Sequence, residues 1–221
     1  LKKIEGETDR IRIVRDQKIK SAFEFLLHRD LDGDRDKIWP IGKERQRNEI
    51  KGYQGSVDAL KGYENQTHQI QWHLKIGQIF KVTKEFCHFF QLKAVGRRNV
   101  DAPILTLSGV VRKGTPQLQL QCWKGAKSER YFLADWEACR GKWLQCTVQC
   151  QYGKKGSYQF SVNSLDGTIE REVSQKDFPS WREGFEFVRP KWGIYRSLAT
   201  VKNQLNPVDS VYLNHFSIQK R

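Results

Sequence analysis

The stretch Gln69–Ile76 reads QIQWHLKI and alternates polar with apolar side chains without a break. A period of two is typical of a β-strand with one buried face and one solvated face. The apolar face carries Ile70, Trp72, Leu74 and Ile76. The polar face carries Gln69, Gln71, His73 and Lys75. The stretch therefore predicts a strand with its apolar face packed against a core and its polar face in solvent.

The same alternation recurs along most of the chain. It is present in IRIV (11–14), SAFEFLL (21–27), RNEIKGY (47–53), QLQLQCW (117–123), WLQCTVQCQY (143–152), SYQFSVNS (157–164) and DSVYLNHF (209–216). Glycine-containing turn signals punctuate these runs, and only 135–141 and 178–182 have a helical character. We expect an all-β fold, a two-sheet antiparallel sandwich or β-jelly roll with a concave cleft for a long ligand, in a single domain spanning 1–221.

The charge balance points to a polyanionic partner. The 221 residues include 39 Lys and Arg against 25 Asp and Glu, a net charge of +14. The electric field of such a positive net charge attracts nucleic acid, an anionic membrane or an acidic polysaccharide. In some basic proteins, however, the charge contributes only to solubility. The cations are scattered among strands and turns rather than gathered on an amphipathic helix or a basic arm, which favours the polysaccharide. No stretch approaches the ~20 apolar residues of a membrane span.

The five cysteines form neither a CxxC pair nor a zinc spacing, so we expect no metal cluster, and an odd count allows at most two accessory disulfides. Alternation in 143–152 groups Cys146 and Cys150 with apolar residues, which predicts that these two are buried small hydrophobic side chains. The chain begins at Leu1 and contains no methionine, which is what a processed product would show. Asn65-Gln66-Thr67 is an acceptor sequon for N-glycosylation. These features give the expectation of a secreted, extracellular protein.

Three segments carry side chains suited to chemistry. Strand alternation in RQRNEIKGY (45–53) places Arg45, Arg47, Glu49 and Lys51 on one face. In FCHFFQLKA (86–94), Gln91 and Lys93 share a face, and in RPKWGIYRS (189–197), Lys191 and Tyr195 flank Gly193, which leaves room for a substrate. Bidentate arginine suits a uronate carboxylate. On spacing alone, a solvated charge cluster on a sheet surface would show the same pattern.

Together, RQRNEIKGY, FCHFFQLKA and PKWGIY resemble the jelly-roll polysaccharide lyases. They are most similar to the glucuronan lyases of polysaccharide lyase family 20, with the alginate lyases of family 7 and heparin lyase I as more distant relatives. The resemblance spans Ile11 to Phe216. It implies an endo-acting lyase that cleaves a polyuronate, with β-1,4-glucuronan as the first expectation, by β-elimination to unsaturated uronate ends.

The resemblance also implies roles for individual residues. Tyr195 matches the family's catalytic tyrosine and Lys191 the lysine four positions before it. Arg47 and Gln91 match the groups that neutralise the substrate carboxylate as negative charge develops on it. Arg45, Glu49, Lys51 and Lys93 are expected to bind substrate beside them. The phenol of Tyr195 acts as a base only where cations stabilise its anion, and it can also protonate the leaving oxygen when substrate geometry is syn.

One departure puts the base in doubt, because Lys93 stands where alginate and heparin lyases carry a histidine. Alternation groups His88 with Phe86 and Phe90, which predicts a core position or a supporting position behind the catalytic groups. His73 shares a face with Gln71, so we expect these two to be a catalytic histidine and a binding glutamine if that face lines the cleft. A surface histidine is an equally good interpretation of His73.

Metal signals are weak. Asp30–Asp36 has carboxylates at alternating positions but lacks the glutamate that closes an EF-hand loop. The resemblance implies a structural calcium between Glu5 and Asp209, and no cofactor is required for the chemistry itself.

Alternatives from other classes stay open at this level. They are a lyase acting on alginate, ulvan or a heparin-like polymer, a non-catalytic lectin-like domain that binds acidic glycans, and a nucleic-acid-binding β-protein. We expect a monomer with an acidic polysaccharide as its partner and with neither nucleic acid nor membrane as a partner.

Overall fold

The computed structural model describes residues 9–34, 45–199 and 201–221. Among them, antiparallel strands dominate. The strands are β1 (Ile11–Asp16), β2 (Lys20–His28), β3 (Arg45–Lys51), β4 (Thr67–Ile76), β5 (Cys87–Gly96), β6 (Leu105–Arg112), β7 (Thr115–Lys124), β8 (Lys127–Asp135), β9 (Trp143–Gln151), β10 (Gly156–Ser164), β11 (Glu170–Phe178), β12 (Phe185–Ser197) and β13 (Val208–Lys220).

These strands build two sheets that pack face to face. The seven-stranded sheet has the order β1-β2-β13-β4-β9-β10-β11, and the six-stranded sheet has the order β3-β12-β5-β6-β7-β8. Strands distant in the chain are neighbours, since β12 lies between β3 and β5. The predicted all-β sandwich is confirmed.

Alternation determines what fills the space between the sheets. Ile70, Trp72, Leu74 and Ile76 of β4 are all fully buried. Trp72 stacks on Phe90 of the opposite sheet, with ring centroids 4.2 Å apart. The outward side chains of β4 and β5 therefore lie on opposite outer faces of the sandwich.

All five cysteines are buried and free, as expected of small core side chains. Burial raises the pKa of the Cys87, Cys122 and Cys139 thiols to about 12. A buried thiol with so high a pKa is protonated and inert, so these residues contribute packing rather than chemistry.

Helical structure is sparse in the described residues. One turn of α-helix, α1 (Trp136–Cys139), lies inside the predicted segment 135–141, and two 3₁₀ turns cover Asp58–Leu60 and Lys202–Gln204. No helix in the described ranges has the length and apolar character needed to cross a membrane.

The helical expectation for 178–182 is wrong. Phe178 is the last residue of β11, and the segment that follows bonds mainly to the end of β9 and the β9–β10 turn. Ser180 donates its hydroxyl to the Gln151 carbonyl at 2.6 Å, and the Trp181 amide donates to the Gly153 carbonyl at 3.1 Å. These contacts with a distant turn replace the i to i+4 bonds of a helix.

Candidate active site

The outer face of the six-stranded sheet brings the three chemically interesting segments together. Across β3 and β12, Tyr195 is opposite Arg47 and Gly193 is opposite Glu49. Across β12 and β5, Lys191 is opposite Gln91. Trp192 and Ile194 of β12 lie in the core. Positions 191, 193 and 195 alternate with them along the strand and therefore face outward.

Gly193 is required by the backbone. Its φ is +137°, a conformation that side chains rarely adopt, and an added Cβ would collide with the β3 backbone at Asn48 and Glu49. The sequence suggested that this glycine makes room for a substrate, but the backbone itself requires a glycine here. Gly193 lets β3 and β12 approach closely enough to set Arg47 beside Tyr195.

Tyr195 lies among cations. Arg45 donates from Nη1 to the phenol oxygen at 2.8 Å. The Arg47 guanidinium lies over the Tyr195 ring, 4.3 Å from its centroid, and the Lys191 ammonium lies 5.5 Å from it. The side chain is only 7% exposed, which increases the strength of these interactions.

Glu49 organises the surrounding side chains. Its carboxylate forms an ion pair with Lys191, contacts Arg47 Nε at 3.4 Å and accepts a hydrogen bond from Gln91 Nε2 at 2.6 Å. Arg47 also donates from Nη2 to Asp34 at 3.1 Å. Because its oxygens are committed to protein groups, Glu49 orients Lys191, Arg47 and Gln91 rather than binding an anionic substrate itself.

Burial lowers the pKa of two lysines on this face, Lys191 and Lys93. It lowers the pKa of Lys191 to about 8 despite the attraction of Glu49, with Arg47 adding to the decrease. It also lowers the pKa of Lys93, where Arg189 and Arg47 add repulsion. Lys93 donates to the Asp101 carbonyl at 3.0 Å, and Lys51 lies exposed opposite Lys191.

His88 lies on this face because of a β-bulge. The β5–β6 register passes from His88 opposite Ser108 to Phe90 opposite Leu107, which leaves Phe89 as an extra residue. The bulge separates His88 from Phe90, so the predicted grouping of these two is wrong. The predicted grouping with Phe86 is confirmed, because the buried His88 ring stacks on Phe86 with centroids 4.6 Å apart. The His88 ring packs 6.0 Å from the Tyr195 ring, and its Nδ1 lies 2.7 Å from Ser108 Oγ.

The electrostatic surroundings keep the His88 imidazole neutral. Burial, followed by the nearby cations Lys191, Lys93 and Arg45, lowers its pKa to about 3. A group with so low a pKa is a weak base at neutral pH. This contrasts with a free histidine, which titrates near neutrality.

Sequence reasoning missed Arg189, which alternation in RPKWGIYRS places on the same face as Lys191. Arg189 is directly opposite Lys93 in the β12–β5 register, and burial lowers its pKa. We call Arg45, Arg47, Lys93, Arg189 and Lys191 the cationic cluster.

A row of uncharged polar side chains extends the face across β6 and β7. We call Thr106, Ser108, Gln119 and Gln121 the polar row. Register aligns Gln91 with Thr106 and Gln121, and His88 with Ser108 and Gln119. The alternation of QLQLQCW indicates a polar face there, but only strand pairing joins it to Tyr195.

Comparison with solved structures identifies proteins of similar architecture. The endo-β-1,4-glucuronan lyase of the fungus Trichoderma reesei is 11% identical, with a TM-score of 0.60 over 94% of this chain and 85% of that one. The alginate lyase of Klebsiella pneumoniae is 10% identical, with a TM-score of 0.65 over 97% and 86%. An alginate lyase of Pseudomonas aeruginosa is 13% identical, with a TM-score of 0.58 over 97% and 87%.

The chain has the jelly-roll fold of these polysaccharide lyases. The match covers nearly the whole of each chain, which confirms the fold that the three sequence segments indicate. No family model matches the sequence, and no curated protein matches it. At identities of 10–14%, the lyase fold is what the comparison establishes.

The lyase fold does not bring His73 and Gln71 to this site, so their expected place in the cleft is wrong. Both extend from the outer face of the seven-stranded sheet, since Trp72 between them is in the core. His73 stacks on His215 with ring centroids 4.9 Å apart, and burial together with His215 lowers its pKa. The core separates His73 from Tyr195.

The calcium site is not supported by Asp209, while Glu5 lies outside the described residues. Asp209 is buried, its Oδ2 pairs with Arg196 and its Oδ1 accepts from Asn206 Nδ2 at 2.9 Å. A calcium ion there would stand beside a buried guanidinium, so the residue does not fit that role. The described residues contain no cluster of three or more His, Cys, Asp or Glu suited to a metal.

Proposed function

We propose that the chain is an endo-acting polysaccharide lyase that cleaves a polyuronate by β-elimination. The observation that carries this proposal is the Tyr195 phenol, which accepts a hydrogen bond from Arg45 at 2.8 Å and lies beside Arg47 and Lys191. A binding domain gains little from a phenol surrounded by cations, whereas proton abstraction requires one. The lyase fold adds support.

Carboxylate neutralisation is the first requirement of the reaction. The proton on the ring carbon that bears the carboxylate is weakly acidic until the carboxylate is neutralised. Arg47 and Gln91, held in place by Glu49, are the donors that would bind this carboxylate. Their hydrogen bonds strengthen as the enolate-like dianion forms, which stabilises the transition state more than the ground state.

Proton transfer is assigned to Tyr195. Its phenolate takes the proton from the carbon bearing the carboxylate, the electron pair forms the carbon–carbon double bond, and the glycosidic C–O bond breaks. The leaving oxygen takes a proton from the same phenol when substrate geometry is syn. His88, with its pKa lowered to about 3, is too weak a base for this step and instead packs against Tyr195 and Phe86.

β-1,4-Glucuronan is the first candidate substrate. A solved structure of the same fold is an endo-β-1,4-glucuronan lyase, while others are alginate lyases. The net charge of +14 and the cationic cluster suit any polyuronate. Alginate, ulvan and heparin-like polymers are therefore the alternatives to compare.

Extracellular action is part of the proposal. Asn65 of the sequon is exposed in a turn, with a φ of +67° that asparagine tolerates, so its side chain is accessible for glycosylation. Expression through a secretory pathway, followed by glycosidase treatment, would test this by a shift in mass.

The experiment is a substrate panel of glucuronan, alginate, heparin and ulvan, followed in the ultraviolet for the unsaturated uronate that only elimination creates. We expect the chromophore on at least one polyuronate, a rapid fall in viscosity that marks endo cleavage, and its loss in Tyr195→Phe. Binding to these polymers without a chromophore would favour a lectin-like domain. Salt-dependent binding to DNA alone would favour the nucleic-acid alternative.

A further inference from the structure

Two cations of the cluster face each other without a described carboxylate between them. Arg189 and Lys93 are register partners on β12 and β5. Directly opposite residues have Cβ atoms about 4.5–5.5 Å apart, and like charges in this arrangement destabilise a sheet. Burial, followed by repulsion from Arg189 and Arg47, lowers the pKa of Lys93 despite the attraction of Asp101 and Glu49. The free protein therefore pays an electrostatic cost at this pair.

Arg189 carries a second cost. Its Nε and Nη1 atoms are buried and have no hydrogen-bond partner among the described residues. Glu49, the carboxylate that attracts it, is already engaged by Lys191, Arg47 and Gln91. A buried charged donor without a partner is unfavourable. Both costs disappear if an anion binds between Arg189 and Lys93.

We propose that Arg189 and Lys93 form a second carboxylate subsite, which binds the uronate next to the one being cleaved. This inference rests on the proposed function. Lys93 is two residues along β5 from Gln91, a donor proposed for the first carboxylate, which gives a separation of ~6.8 Å at the usual strand rise. That distance is about the length of one sugar residue, so the two sites suit consecutive uronates of one polymer.

The subsite defines the substrate class more narrowly. A polymer of adjacent uronates fills both carboxylate sites, whereas one in which uronates alternate with neutral sugars fills only one. Lys93 and Arg189 contribute binding in the ground state and the transition state alike, because the neighbouring carboxylate does not change charge. Their loss should therefore raise KM more than it lowers kcat.

The test compares Arg189→Gln and Arg189→Lys with a matched control, Arg15→Gln, which removes one exposed cation from β1 of the other sheet. KM and kcat are measured on glucuronan, and binding of glucuronan is compared with binding of hyaluronan, in which each glucuronate alternates with an uncharged N-acetylglucosamine. Binding is measured by calorimetry with a glucuronan tetrasaccharide and with cellotetraose, its counterpart without carboxylates. Thermal unfolding is measured for each variant without ligand.

For Arg189→Gln we expect KM on glucuronan to rise about tenfold or more, as the loss of a charge-assisted hydrogen bond predicts, with kcat changed less than about threefold. The preference for binding glucuronan over hyaluronan should shrink, Arg189→Lys should restore part of it, and Arg15→Gln should match the parent. The melting temperature of Arg189→Gln should equal or exceed that of the parent, because an unpartnered buried charge is removed.

Other outcomes overturn the subsite. A lower melting temperature with unchanged KM would make Arg189 structural, and equal KM changes in Arg15→Gln and Arg189→Gln would reduce it to general electrostatic attraction. A parent protein that cleaves nothing but binds the glucuronan tetrasaccharide in an Arg189-dependent manner would retain the subsite and reject the lyase. Equal binding of cellotetraose would reject the subsite whether or not cleavage occurs.

Discussion

The outer faces of the two sheets carry similar side chains in different surroundings. On the seven-stranded sheet, Lys75 pairs with the Asp16 carboxylate, and its ammonium lies 4.8 Å from the Trp143 ring. On the six-stranded sheet, Lys191 is 3% exposed and shares the Glu49 carboxylate with Arg47. Among the described residues, Lys75 is the only cation that forms an ion pair with Asp16, whereas Lys191 shares Glu49 with a second cation.

This difference shows why residue type alone does not define a site. Both faces carry a lysine, a glutamine and a histidine. Among the described residues, only the face of Tyr195 concentrates cations in a buried setting, which lowers the pKa of Lys191 to about 8 and that of His88 to about 3. Perturbed titration together with surplus positive charge is what an anionic, proton-transferring reaction requires. Four substitutions test whether chemistry is confined to this face.

The largest effect is expected for Tyr195→Phe. The ring keeps its packing against Arg47 and Phe86, while the hydroxyl that accepts from Arg45 is lost. Removal of a general acid–base group costs about 10²–10⁴-fold in kcat. Initial rates of chromophore formation measure the loss, and unfolding curves check the fold. Activity within about twofold of the parent would exclude Tyr195 as the proton carrier.

Arg47→Ala should have the next largest effect. It removes the guanidinium proposed to bind the substrate carboxylate and its contact with the Tyr195 ring. We expect kcat/KM to fall about 10- to 100-fold, the range for losing a charge-assisted hydrogen bond, with KM raised and kcat lowered. Arg47→Lys, which keeps the charge, is the control. A change in KM alone would show that Arg47 binds the ground state and transition state equally.

The pH dependence sharpens the role of Lys191. Its pKa is about 8, so the ammonium is present below that pH and is lost above it. If this charge supports catalysis, kcat/KM should fall about tenfold per pH unit above that value. Arginine stays charged throughout, so Lys191→Arg should remove this alkaline decrease, whereas Lys51→Arg should keep it. An unchanged profile in a folded Lys191→Arg would assign the decrease to another group.

The smallest effect is expected for His73→Gln on the other sheet. His73 stacks on His215, away from Tyr195 and across the core. We expect kcat/KM within about twofold of the parent and an identical acidic limb of the pH profile, because its imidazole takes no part in proton transfer. A loss of that limb would show that His73, on the outer face of the seven-stranded sheet, takes part in proton transfer, and would contradict the assignment of the chemistry to the six-stranded sheet.

Where polar and apolar residues alternate regularly, the amino-acid sequence was enough to predict the strands and which side chains each strand buries. Alternation in 69–76 predicts the buried set of β4, and in 189–197 it places Lys191 and Tyr195 on one outward face. The same alternation, followed two residues back from Lys191, would also have predicted an outward Arg189. These are local properties, since the side chains of a strand alternate between its faces whatever its neighbours are.

Which outward faces lie side by side depends on the pairing of strands in the folded protein. β3, β12 and β5 are far apart in the chain, and their adjacency depends on long-range pairing that no local pattern encodes. This pairing gathers Glu49, Lys191 and Gln91 and leaves His73 behind the core. The bulge at Phe89 inserts one residue, which reverses the alternation and turns His88 toward Tyr195.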